Sequence, residues 1–214
     1  MSDTLVMTSS EFASEYLQIT EETMNPRTSL GVTLSILCLL CCSVLAQEAP
    51  KKDVAIKPAP SPSQAVLDSW NDIGRKLIAM AEDFPEDKYD FKPTPAQRSF
   101  AEQLLHAAGA NYYFINPVRG EKSPGEDYPK RSDFKGKADI VNFVKKSFAD
   151  GAAVIKEKGD SGMSQVVTDN DNHYQARIGD LAYGLIEHDG EHYGQLVGYY
   201  RTSGLVPPES RPKK

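Results

Sequence analysis

Cysteine is nearly absent from this 214-residue sequence. The three that occur, Cys38, Cys41 and Cys42, share one apolar run, and the other residues contain none. That pattern excludes a disulfide framework, a cysteine-ligated structural zinc and a CxxC redox centre. There is no internal repeat, and no convincing run of alternating apolar and polar residues; only Ser164 to Thr168 looks able to pair briefly as a strand. A basic patch is missing too: 24 lysines and arginines face 30 acids, for a net charge of −6. Nucleic acid is therefore not an expected partner.

What is present begins with an address. Arg27 precedes an apolar run through Leu30, Val32, Leu34, Ile36, Leu37, Leu39 and Leu40. Val44-Leu45-Ala46 then sets small residues before Gln47. This is the layout of a cleaved signal peptide over residues 24–46. The run is also long enough for a membrane anchor, and Lys51 and Lys52 keep that alternative. Residues 1–23 are acidic, which a signal avoids, so Met24 is the expected start and 1–23 an upstream extension of the reading frame. Cleavage near Ala46 predicts an exported protein, periplasmic or extracellular. Residues 1–46 hold five acids and one base, which leaves 25 and 23, a net charge of −2 and no cysteine.

Residues 47–62, with Pro50, Pro58, Pro60 and Pro62, read as a linker. Four helices follow. Ser61-Pro62-Ser63-Gln64 caps the first, and Val66, Trp70, Ile73, Leu77, Met80, Ala81 and Phe84 recur at helical spacing up to Pro85. Thr94-Pro95-Ala96-Gln97 is a second cap, for a helix that Pro117 ends. The third helix spans about residues 136–156 and the fourth about 173–203. Gly204 and Leu205 form the last C-terminal stop. The expected fold is an all-α four-helix bundle with long connections over residues 63–211.

Without cysteine, a metal must rest on histidine. The chain has His106, His173, His188 and His192. His188 and His192 are four apart and stack on one helix face. Leu181, Leu185, Leu196 and Tyr199 fall on the same side, so two imidazoles sit within an apolar stripe. A metal would satisfy both, as would hydrogen bonds to tyrosine or carboxylate. The run from His188 to His192 has zincin spacing, but Asp189 stands where the zincin glutamate belongs, so that protease class is not expected. His106 lies off its own stripe and by that criterion reads as an exposed histidine. Glu102, one turn before it, is an alternative ligand. His173 sits in a polar turn. Gly190, Gly194 and Gly198 repeat every four residues on the side opposite the histidines, where a helix contact or a homodimer would use them.

The run His188-Asp-Gly-Glu-His192-Tyr-Gly-Gln195-Leu-Val-Gly-Tyr-Tyr-Arg201, followed by Gly204-Leu-Val-Pro-Pro-Glu-Ser210, resembles the C-terminal signature of DinB-like proteins. These are the damage-inducible, metal-dependent family, not the polymerase of similar name. Asp87 to Phe114, with Tyr89-Asp-Phe91-Lys-Pro93 and Leu104-Leu105-His106, is similar as well. The resemblance covers about residues 63–211. It implies a four-helix bundle that binds a divalent metal, zinc, nickel or iron, through His106, His188 and His192. Gln195 would act on the ligands from behind or orient water. Relatives of this kind include metal-dependent hydrolases and thiol S-transferases that use cytosolic thiol cofactors. The expectation is thus an exported hydrolase of an unidentified small molecule. The alternatives are a non-catalytic metal-binding or interaction module, or a thiol transferase if the chain stays in the cytosol.

Overall fold

The structure is a computed structural model that describes residues 56–125, 128–169 and 173–212. The upstream stretch and the signal expected over 24–46 lie outside the described residues, as does most of the expected linker. Residues 56–61 carry no regular structure.

The first helix, α1 (Pro62–Asp83), starts as its cap predicts. The Ser61 hydroxyl accepts from the Gln64 N–H at 3.4 Å, and Pro62 fills the first turn, where its missing N–H costs nothing. Phe84 turns to extended backbone ahead of Pro85 and ends the helix.

The second expected helix is two. α2 (Phe100–Ala110) and α3 (Tyr112–Arg119) meet at Asn111. Thr94 does not cap: the chain bends and turns over residues 93–97, and Ser99 is the N-cap. There the Ser99 hydroxyl accepts from Glu102 N–H at 3.2 Å and the Glu102 carboxylate accepts from Ser99 N–H at 2.6 Å. The reciprocal pair satisfies two orphan donors, which one Thr94–Gln97 contact cannot match. Pro117 lies inside α3 and Gly120, at φ 72°, ends it.

α4 (Lys137–Met163) runs past the expected end near 156, through a break at Gly159 (φ 57°). The break presents Asp160 to the start of α1, where its carboxylate accepts from Ser61 Oγ at 2.8 Å and Ser63 N–H at 2.9 Å. The brief strand expected at 164–168 is present as β1 (Val166–Asp169), and its antiparallel partner is β2 (Tyr174–Arg177), with Val166 opposite Arg177 and Asp169 opposite Tyr174. The last helix, α5 (Ile178–Thr202), therefore starts five residues later than expected. It stops as predicted: Leu205 N–H reaches Tyr200 O at 2.9 Å and Gly204 N–H reaches Arg201 O at 3.1 Å, the two bonds of a Schellman motif.

With α2 and α3 as one broken rod, four helical rods make a bundle. Among the described residues no helix is long and apolar enough to cross a membrane. The tightest seam joins α1 to α4. Trp70 is fully buried, donates to the Phe148 carbonyl at 2.9 Å, and meets the Phe114 and Phe148 rings edge-on at 5.5 and 5.6 Å. Gly151 permits this approach, since a Cβ there would fall 2.0 Å from Trp70 Cζ2. A second aromatic layer, with Phe84 stacked on Phe100 at 3.7 Å and Tyr200 edge-on at 4.9 Å, closes one end around α5.

Candidate metal centre

α2 and α5 face one another across the bundle; Phe100 meets Tyr199 and Tyr200 at one end of their contact, and farther along what they bring together is polar. His106 comes from the middle of α2, and His188 and His192 from successive turns of α5. One ring nitrogen of each lies within 4.8 Å of the others. His188 Nε2 and His192 Nε2 are 3.1 Å apart, and the His106 ring centre is 4.8 Å from that of His192 and 5.4 Å from that of His188. His192 is buried, and the other two are half-buried. His106, which its wheel position assigns to the surface, thus faces the α5 pair. His173 stands at the head of β2, outside the cluster.

All three imidazoles are held neutral. Desolvation drops His192 to about 3, helped by the neighbouring His188, His106 and Arg98. Desolvation likewise drops His106 to about 4, with Arg98 and His188 adding to it. His188 falls as well by desolvation, against an opposing pull from Glu191.

The apolar seam of α5 is turned relative to the expected stripe. Its buried residues are Ile178, Ala182, Asp189, His192, Leu196, Tyr199 and Tyr200, whereas Leu181 and Leu185 are only partly covered. Asp189 occupies the seam itself. It is 0% exposed, and neither carboxylate oxygen finds a hydrogen-bond donor among the described residues. Burial pushes its carboxyl well above the usual carboxylate range.

One contributor is not evident from sequence spacing. Gln103, on α2, is 2% exposed, and its Nε2 lies 2.5 Å from His192 Nδ1. The same amide donates to Gln195 Oε1. Gln195 therefore meets the cluster through Gln103. The available signal was a glutamine set among Phe100, Leu104 and Ala107 and three residues before His106, on a face otherwise apolar. Glu102 is engaged elsewhere: it caps α2 and pairs with Lys92 at 3.3 Å.

Beside His106 the surface opens into a cavity of about 540 Å³. Tyr128 and Pro129 form one wall. They lie against α2 because Gly109 has no side chain: a Cβ there would fall 2.4 Å from Pro129 Cδ.

Comparison with known proteins agrees with this architecture. No curated protein matches the chain. Among solved structures, a DinB-like protein from Bacillus cereus is 16% identical, with 68% of this chain and 95% of that one covered and a TM-score of 0.57. A DinB-like protein from Bacillus subtilis, YjoA, is also 16% identical, with coverage of 70% and 99% and a TM-score of 0.54. YfiT from Bacillus subtilis, described as a probable metal-dependent hydrolase with an unusual four-helix bundle topology, is 11% identical, with coverage of 73% and 97% and a TM-score of 0.53. At these identities the likeness carries the fold. A family model described as the DinB superfamily matches residues 70–196, more than half of the chain, and takes in all three clustered histidines. The chain belongs to the DinB superfamily.

Proposed function

We propose that His106, His188 and His192 hold a divalent metal ion and that the protein is a metal-dependent hydrolase of a small molecule. The observation that carries this reading is the convergence of three neutral imidazoles from two helices, with ligand nitrogens within 4.8 Å. The donor set fits the group. Imidazole suits zinc, nickel and iron alike, and nitrogens on a tetrahedral ion sit about 3.3 Å apart, close to the 3.1 Å between His188 and His192. Neutral ligands leave the ion its full charge. When bound, such an ion supplies Lewis acidity and activates water near neutral pH.

The residues behind the triad support the same reading. Gln103 Nε2 donates to His192 Nδ1, which leaves the His192 proton on Nε2, toward His188. A metal-binding His192 needs that proton on Nδ1 instead. Rotation of the Gln103 amide sets its carbonyl there, and Gln195, rotated likewise, donates to the same carbonyl oxygen. With both amides oriented that way, the two glutamines would hold His192 in the tautomer that binds a metal.

We assign this chemistry to the outside of the cell, on the signal-like layout of residues 24–46, and to a domain spanning 63–211. A second reading, a metal-binding module without turnover, draws on one observation. Among the described residues no carboxylate hydrogen-bonds the triad as a general base would: Glu102 caps α2, Asp189 is buried in the seam, and the exposed Glu191 acts on His188 through its charge alone. Elemental analysis of protein purified without an affinity tag tests the site. About one divalent ion per chain is expected, lost in His192→Ala, together with chelator-sensitive turnover in a screen of ester, amide and phosphoester substrates. A metal-free protein whose stability ignores chelator overturns the site; bound metal without turnover leaves the second reading.

A further inference from the structure

The cavity beside His106 is lopsided in charge. Lys92, Arg98, Lys130 and Arg131 line it, against Glu102 as the one carboxylate among its described lining residues. Two of these cations are already matched, Lys92 to Glu102 at 3.3 Å and Arg131 to Asp90 at 3.0 Å. Arg98 and Lys130 have no side-chain ion pair among the described residues. From residue 47 onward the chain holds 25 acids and 23 bases, so a cavity with four cations against one carboxylate departs from its near-neutral background.

Arg98 also lines the cavity together with His106. Its guanidinium disfavours positive charge on His106, His188 and His192 alike. For a site whose task is to keep a divalent cation, an unmatched arginine beside it is electrostatically wrong, because the two repel. The placement becomes favourable once an anion lies between them, attracted by both. Arginine suits that role, because its planar fork pairs with a carboxylate or phosphate through two parallel hydrogen bonds. A cavity of about 540 Å³ falls within the range that encloses a small molecule.

We propose that the substrate is a small molecule bearing a carboxylate or phosphate group, and that Arg98, with Lys130, binds that group in the cavity beside His106. The proposal rests on the triad being a metal centre for its account of why Arg98 is there, whereas the anion site itself can be measured without metal.

The test is calorimetric titration of zinc-loaded protein with succinate, phenyl phosphate and, as the neutral control, succinamide. At least one anion is expected to bind at least tenfold more tightly than succinamide. Arg98→Ala is expected to weaken that anion about tenfold or more while zinc content and Tm stay unchanged, and Arg98→Lys to recover part of the loss. Neither anion exceeding succinamide overturns the proposal, and so does Arg98→Ala binding as tightly as the parent. The same titration on chelator-treated protein separates the two ideas. If the parent holds no zinc, the metal reading fails, and an Arg98-dependent anion site in the metal-free protein still stands. Anion binding that needs zinc but ignores Arg98 overturns only the anion proposal.

Discussion

The α1–α4 contact and the α2–α5 contact belong to one bundle yet use their surfaces differently. Between α1 and α4 the helices come close enough for the Trp70 ring to lie where a Gly151 side chain would be, and the one polar atom of that ring is satisfied by the Phe148 carbonyl. Between α2 and α5 the facing residues include Gln103, His106, His188 and His192, joined by short hydrogen bonds and edge-on rings. Apolar burial stabilises the fold by roughly 25 cal/mol per Å² and asks for nothing else. Neutral imidazoles and amides gain little by burial and need partners. The contrast teaches that stability resides mainly in the first contact, which lets the second hold groups that a stability-driven core would exclude.

The largest expected effect tests the first half of that division. Trp70→Ala removes a fully buried indole, two aromatic contacts and a buried hydrogen bond. A loss of about 3–5 kcal/mol is expected in denaturant unfolding. Metal content per folded molecule should be unchanged below the transition. If the variant folds but has lost its metal, the two contacts are not separable.

Next in size is the support of the site. Gln103→Leu keeps the volume of a 2%-exposed side chain and removes the partner of His192 Nδ1. Metal affinity, read by competition with a chromogenic chelator, should fall about 10- to 100-fold. Stability of the metal-free protein should change far less than in Trp70→Ala. Unaltered affinity would mean that His192 is positioned by packing alone.

The metal-free site should also register pH. His106 and His192 sit at about 4 and about 3, below the ordinary 6.5, so between those values the unfolded chain binds protons that the folded chain refuses. Stability rises with pH wherever the unfolded state holds more protons. The contribution is therefore complete above about pH 6.5 and lost as the pH falls through about 4 and then about 3. In chelator-treated protein the denaturant midpoint should drop between pH 7 and pH 4 more steeply in the parent than in the His106→Gln/His192→Gln double variant. Partial exposure of His106 keeps the effect modest. Equal slopes would mean that the cluster is no less hydrated than the unfolded chain.

How much of this was legible in the sequence differs between the same two contacts. The α1 stripe, the Ser61 cap and the Gly204 stop are local patterns of a few residues, and each appears where it was expected. His188 and His192 are four apart and come together for the same reason. His106 was assigned by resemblance, because its partners lie on another helix and its own wheel position points away from the apolar stripe. Gln103 was missed because a buried polar residue follows no periodicity; its reason for burial is His192, 89 positions on. The start of α2 was misplaced because two cap signatures compete within six residues, and the Ser99–Glu102 pair makes both reciprocal bonds. The strand Tyr174–Arg177 falls within the span expected for the last helix, because its burial alternates only between exposed and half-covered, too weak a period to read.

The smallest effect concerns glycine, where equal spacing hides unequal circumstances. Gly190, Gly194 and Gly198 recur every four residues on α5 and suggest a close helix contact or a homodimer face. Yet a Cβ at any of them would meet nothing within 4 Å. Gly151 has no such regularity around it and admits Trp70 at a distance no side chain would allow. Close approach is therefore identified by what occupies the space, not by the repeat. In an open helical position alanine restricts the unfolded chain more than glycine does and displaces nothing in the folded one. Gly194→Ala should accordingly stabilise by about 0.5–1 kcal/mol in chemical unfolding, with the sedimentation coefficient unchanged. Destabilisation, or a concentration-dependent shift toward smaller species, would instead mean that a second copy of the chain packs on that face. The α5 glycines would then belong with Gly151 as sites of close approach.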